Sequence, residues 1–90
     1  MLPENAPLPS PGEMLLEEFL KPSGMTQGEL AARMRVPIQR VNAIVNGRRS
    51  ITAETALLLS RAFKTSPEYW MNLQTAWDLW SARKRMARTG

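Results

Sequence analysis

Apolar residues recur along the chain at helical intervals, and proline, glycine or a hydroxyl-bearing cap stands at each break between the recurring stretches. Met14, Leu15, Leu16, Phe19 and Leu20 predict a first helix from Pro11 or Gly12 to Leu20, ended by Pro22 and Gly24. Thr26 then offers a cap, with Glu29 placed to reach back to its amide, and the second helix turns Leu30, Ala31 and Met34 inward. Val36 precedes a proline and is pushed away from helical backbone, which forces a turn over Arg35 and Val36. Pro37 can open the third helix without losing a hydrogen bond. That helix buries Val41, Ile44 and Val45 and stops at Gly47, where a left-handed cap is wanted. Thr52 caps a fourth helix through Ala56, Leu57, Leu59 and Phe63. Ser66, Pro67 and Glu68 start a fifth, which carries Trp70, Leu73, Trp77 and Trp80 at alternating spacings of three and four. No run of period-two alternation argues for a strand, and no internal repeat is seen. The expectation is an all-α five-helix bundle.

Pro3, Pro7 and Pro9, among small and polar residues, favour extended backbone, so residues 1–10 are read as an arm, 11–82 as the helical domain and 83–90 as a basic tail. Ninety residues hold one compact domain, and whatever it does sits on the surface of a single small core. No apolar stretch approaches the roughly 18 residues needed to cross a bilayer, and the first residues lack the basic flank and apolar run of a secretory signal. A cytoplasmic address is expected. With no cysteine and no histidine, the chain lacks thiol nucleophiles, imidazole bases and the usual zinc ligands, and its eight carboxylates form no paired cluster. Neither an enzyme nor a metal or cofactor site is expected.

The net charge of +4 is unevenly spread. As far as Met34, Glu4, Glu13, Glu17, Glu18 and Glu29 outnumber Lys21 and Arg33. From Arg35 to Ser50 the charges are Arg35, Arg40, Arg48 and Arg49, and Arg83, Lys84, Arg85 and Arg88 follow near the end. Basic segments of this kind suit polyphosphate contact or a solvated face. Two short helices joined by a tight turn, Thr26 to Met34 and Pro37 to Asn46, have the dimensions of a helix-turn-helix. With Val41 and Ile44 inward, the third helix turns Ile38, Gln39, Arg40, Asn42, Ala43 and Asn46 outward. Amides can pair with adenine, a guanidinium with guanine, and small apolar groups with a thymine methyl. Gln27 lies in the first turn of the second helix, where unpaired N–H groups favour a phosphate, and Arg48 and Arg49 follow the third.

Ser10-Pro11-Gly12-Glu13, Gly24-Met25-Thr26-Gln27, the run from Val41 to Arg49, the run from Ile51 to Ala56, and the run from Ser66 to Gln74 resemble, in order, the Xre-type HigA antitoxins of bacterial toxin–antitoxin modules. The resemblance covers about Ser10 to Trp80 and implies a lambda repressor-like DNA-binding domain. It further implies a homodimer on palindromic operator DNA ahead of its own operon, and a HigB-like toxin partner, a RelE-like ribonuclease that cuts messenger RNA. A stand-alone Xre-family repressor is the alternative. Gln27 and Gln39 match positions that contact DNA in related repressors, as do Arg40 and Ala43. The chain departs from the pattern in two places: such proteins usually have glycine where Arg35 stands and a polar residue where Ile38 stands. The stripe of Trp70, Leu73, Trp77 and Trp80 suits core packing, a dimer seam or a toxin-facing patch.

Overall fold

The computed structural model describes residues 8–89, so most of the segment read as an arm lies outside the described residues. Every element among the described residues is helical. Helix α1 (11–23) begins on Ser10, whose hydroxyl accepts from the Glu13 amide at 3.1 Å while the Glu13 carboxylate accepts from the Ser10 amide at 3.4 Å. Pro11 occupies the first turn, where a missing N–H is harmless.

This helix does not stop at Leu20. After Pro11–Met14 it widens into a π-helical stretch, Leu15–Leu20, in which the Lys21 amide donates to the Leu16 carbonyl, and it closes with Lys21–Ser23. A proline normally breaks a helix by clashing with the carbonyl four residues back and by lacking a donor. Here Pro22 follows a stretch whose carbonyls are already displaced from that register. The Ser23 hydroxyl meets the Phe19 carbonyl at 2.5 Å. Gly24, left-handed at φ 67°, ends the helix.

Helix α2 (Gln27–Met34) starts on the expected capping box and ends over a left-handed Arg35, φ 58° and ψ 45°. The Val36 amide donates to the Ala31 carbonyl at 3.0 Å, closing a Schellman turn. A side chain in this conformation costs on the order of 1 kcal/mol, so the usual preference for glycine at this position has a direct steric cause. Helix α3 (Ile38–Val45) follows Pro37, and Gly47 at φ 76° lets the Arg48 and Arg49 amides both turn back to the Ala43 carbonyl. Helix α4 (Ala53–Phe63) is capped by Thr52, and helix α5 (Pro67–Thr89) begins with the Ser66 hydroxyl accepting from the Tyr69 amide at 3.1 Å. The segment 83–90, read as a tail, is helical as far as Thr89. None of these helices is long and apolar enough to cross a membrane.

One core unites all five helices: Leu15 and Leu20 from α1, Leu30, Ala31 and Met34 from α2, Val41 and Ile44 from α3, Ala56 and Leu59 from α4, and Trp70 from α5, with Ile51 from the loop. Phe19, Phe63 and Tyr69 surround Trp70, with ring centroids 4.8, 6.2 and 5.2 Å from it. The Trp70 Nε1 donates to the Thr65 hydroxyl at 2.6 Å, so the indole is buried without an orphaned donor. Leu57, one of the apolar residues along this helix, is 49% exposed. It lies about 200° around the helix from Leu59, and the face that meets the other helices is the one carrying Ala56 and Leu59.

Gly12 sits where α1 crosses the end of α3. A Cβ there would collide with the Ile44 carbonyl oxygen and stand 2.7 Å from that of Val45. Backbone of a buried helix cannot yield as a flexible side chain would, so Gly12→Ala is expected to destabilise the fold by about 3 kcal/mol. Chemical unfolding followed by circular dichroism measures this directly.

Candidate nucleic-acid interface

Val41 and Ile44, 0% and 2% exposed, fix the roll of α3. The residues left outside are Ile38, Gln39 and Asn46, all exposed, with Asn42 and Ala43 half-buried beside them. Ile38 is 49% exposed and extends toward α2, its Cδ1 lying 3.6 Å from where a Cβ on Gly28 would be. A bulkier residue at position 28 would crowd it.

Gln27, the first residue of α2, belongs to the same surface through a polar chain. Asn42 Nδ2 donates to Gln27 Oε1 at 3.3 Å. Asn42 Oδ1 in turn accepts from Asn46 Nδ2 and from Arg48 Nη2, each at 3.1 Å. Residues from α2, from α3 and from the following loop are thus joined in one hydrogen-bonded network before any ligand arrives. Arg48 and Arg49 are both exposed; Arg48 joins this network, and Arg49 lines a hollow with Ser10, Gln74 and Asp78. The loop is anchored from behind by Gln74, whose side-chain oxygen accepts from the Ile51 amide at 2.7 Å and whose nitrogen donates to Asp78 at 2.9 Å.

Arg40 does not stand outward with Gln39 as the sequence suggested. It is half-buried and its Nη2 donates to Glu54 at the start of α4, at 2.8 Å. Position 40 lies on the flank of α3 that faces α4, and an acid waits there. The role of Gln74 was also missed, although a polar residue four after Trp70, on the stripe that enters the core, was its visible signal. The Ser10–Glu13 box was equally visible, having the same hydroxyl-to-carboxylate spacing as Thr26 and Glu29. Of the tryptophan stripe, Trp70 is fully buried and Leu73 packs against the core, whereas Trp77 and Trp80 stack on one another at 5.1 Å and stay half-buried. Among the described residues no group of three or more carboxylates is gathered as a metal site would require.

Two short helices locked by a left-handed turn, the second presenting a polar face beside the N-terminus of the first, define a helix-turn-helix protein. The Helix-turn-helix family model matches residues 16–70. The chain is 49% identical over 69 residues to virulence-associated protein I of Dichelobacter nodosus, covering 77% of this chain and 64% of that one, so it spans about two thirds of that relative's length. It is 45% identical over 76 residues to antitoxin HigA-1 of Vibrio cholerae, covering 84% of this chain and 71% of the relative. Among solved structures, an addiction module antidote protein of a HigA family from Coxiella burnetii superposes with a TM-score of 0.86 at 44% identity, covering 93% of this chain and 91% of that one. The Pseudomonas aeruginosa antitoxin HigA with the higBA promoter gives 0.87 at 36% identity, covering 92% and 90%. The chain belongs to the helix-turn-helix family, in its HigA antitoxin branch. That family consists of DNA-binding regulators rather than enzymes.

The cap that places Gln27 is titratable. Bonds from the Thr26 amide, first, and the Thr26 hydroxyl, second, hold the Glu29 carboxyl below its ordinary range. A depressed folded-state value contributes stability above the unfolded carboxylate range and loses it as pH falls through the folded value. In thermal melts from neutral to acidic pH, Glu29→Gln is therefore expected to be less stable than the parent at neutrality, with the difference closing as Glu29 protonates.

Proposed function

We propose that this chain is the antitoxin of a type II toxin–antitoxin module, a dimeric repressor of its own operon that also binds and neutralises a HigB-like toxin of the RelE-like ribonuclease kind. The observation that carries the DNA-binding half is the solvent face of α3. Gln39, Ile38, Ala43 and Asn46 project beside Gln27 and Asn42, with Arg48 and Arg49 at the rim. The amides are suited to base edges, Ile38 and Ala43 to thymine methyls, and the rim arginines to phosphate. The Pseudomonas aeruginosa antitoxin HigA with the higBA promoter, and the antitoxin GraA in complex with its operator, which matches at 38% identity and a TM-score of 0.85, support DNA binding by this chain.

One α3 spans few base pairs, and a two-fold partner would present a second copy to a half-site about 34 Å away. Trp77 and Trp80, half-buried and stacked on one another, offer apolar surface on α5 for such a pairing. Trp70 and Leu73, grouped with them in the sequence reading, are occupied by the core. The toxin half rests on the antitoxin relatives.

Binding to a duplex from the region upstream of the gene, titrated by anisotropy at several salt concentrations, tests the repressor. Gln39→Ala is expected to reduce the preference for that duplex over a shuffled one. Arg48→Ala with Arg49→Ala is expected to weaken both and to lower the salt slope by about two. Equal affinity of the parent for both duplexes would sink the repressor reading. Co-expression with the neighbouring open reading frame tests the toxin half: co-purification and relief of growth arrest are expected, and their absence leaves a stand-alone repressor.

A further inference from the structure

Helix α3 carries a single cation, Arg40, and the fold draws it away from the polar face. Its Nη2 donates to Glu54 Oε1 at 2.8 Å and lies 3.4 Å from the hydroxyl oxygen of Thr55. The Arg40 side chain is 20% exposed and that of Glu54 is 72% exposed, so the guanidinium lies within the surface and the carboxylate covers it from outside. Among the described residues, the Arg40 Nε is the one buried side-chain nitrogen or oxygen without a hydrogen-bond partner. An arginine pairing loosely at a rim would keep that nitrogen in water. Here it has been desolvated, a cost that the bonds from Nη2 to Glu54 and Thr55 offset. Thr55, wholly buried, also accepts from the hydroxyl of Thr52, the residue that caps α4, which ties the guanidinium to the first turn of the neighbouring helix.

The consequence is a division of charge across the interface. Its centre holds the uncharged Ile38, Gln39, Asn42, Ala43 and Asn46, while Arg48, bonded to Asn42, and the exposed Arg49 follow the helix. A mobile arginine at the centre would add attraction to any phosphate backbone, raising affinity for every duplex alike. Building on the DNA-binding reading, we propose that Arg40 is a positioning residue and Glu54 a specificity-determining one. The Arg40–Glu54 pair sets α3 against α4 and withholds a cation from the groove, and so preserves discrimination between the operator and other DNA.

The test compares the parent protein with Glu54→Gln, Glu54→Asp, Arg40→Met and the combined Glu54→Gln, Arg40→Met variant. Each is titrated across salt concentrations against the upstream duplex and a shuffled duplex of equal length. Glu54→Gln is expected to bind the shuffled duplex several-fold more tightly, with a salt slope steeper by about one, and to discriminate less. Adding Arg40→Met should return the slope to the parent value, Glu54→Asp should retain it, and Arg40→Met alone should leave it unchanged. The proposal is overturned if Glu54→Gln changes neither slope nor discrimination, or if Arg40→Met alone lowers the slope by one, which would make Arg40 a phosphate contact already. A parent that fails to discriminate would instead refute the DNA-binding reading. The pair is then judged by nitrogen-15 NMR of the free protein: a slowly exchanging Arg40 Nε–H signal lost in Glu54→Gln supports it, and a signal exchanging as fast as those of Arg48 and Arg49 overturns it.

Discussion

Val41 and Ile44 lie three residues apart on α3, and both are sealed into the core shared with Leu30 and Met34 of α2. With two adjacent positions on one stripe buried, the helix has no rotational freedom left. Its far face must carry Gln39, Ala43 and Asn46. The close approach of Gly12 to the last carbonyls of α3 then fixes where the helix ends, and the Gly47 turn sends Arg48 back toward Asn42. Orientation of the polar face is thus a by-product of apolar burial rather than of any polar contact. The polar contacts refine it: Asn42 joins Gln27 to Arg48 and makes one surface of three chain segments.

What the sequence disclosed of this arrangement was local. A cap and its partner stand three residues apart, a C-terminal glycine abuts its helix, and a buried stripe repeats every three or four positions. Thr26, Thr52, Ser66, Gly47, Val41 and Ile44 were therefore readable. The features that escaped depend on distant neighbours or on a compensation. Arg40 shares a spacing with outward residues, and its fate is decided by Glu54, 14 positions later. Leu57 is apolar but half exposed. Pro22 looks like a terminator and is accommodated because the preceding stretch is already widened. The arginines after residue 82 suggest a solvated tail and, with Met86 and Ala87, instead continue a helix.

The charge pattern takes on a different meaning once the pairs are known. Between Arg35 and Ser50 the sequence shows only positive charge, but Arg40 is matched by Glu54 from the next helix and Arg35 occupies the turn. Of the remaining cations, Arg48 is bonded to Asn42 in the polar face and Arg49 is exposed in the loop that follows. Exposed ion pairs contribute little to stability, generally below about 1 kcal/mol. The Arg40–Glu54 pair differs in having its cation four-fifths covered, so removing the Glu54 carboxylate leaves a largely desolvated guanidinium without its counter-charge, whereas Glu54 without Arg40 stays in water.

The tryptophans divide along the same line between interior and surface. Trp70 satisfies its indole N–H through Thr65 and lies among Phe19, Phe63 and Tyr69, which accounts for it wholly as core. Trp77 and Trp80 have no such enclosure. They stack on each other, and Lys84 lies 4.7 Å above the Trp80 ring, an arrangement that shields part of each apolar face and leaves the rest in water. Two stacked indoles on a helix that continues beyond the core are rigid and amphipathic, the kind of surface that gains most when a second apolar face covers it. A single period of three and four along α5 therefore serves two purposes. Its first turns close the domain, and its later turns remain available to a partner.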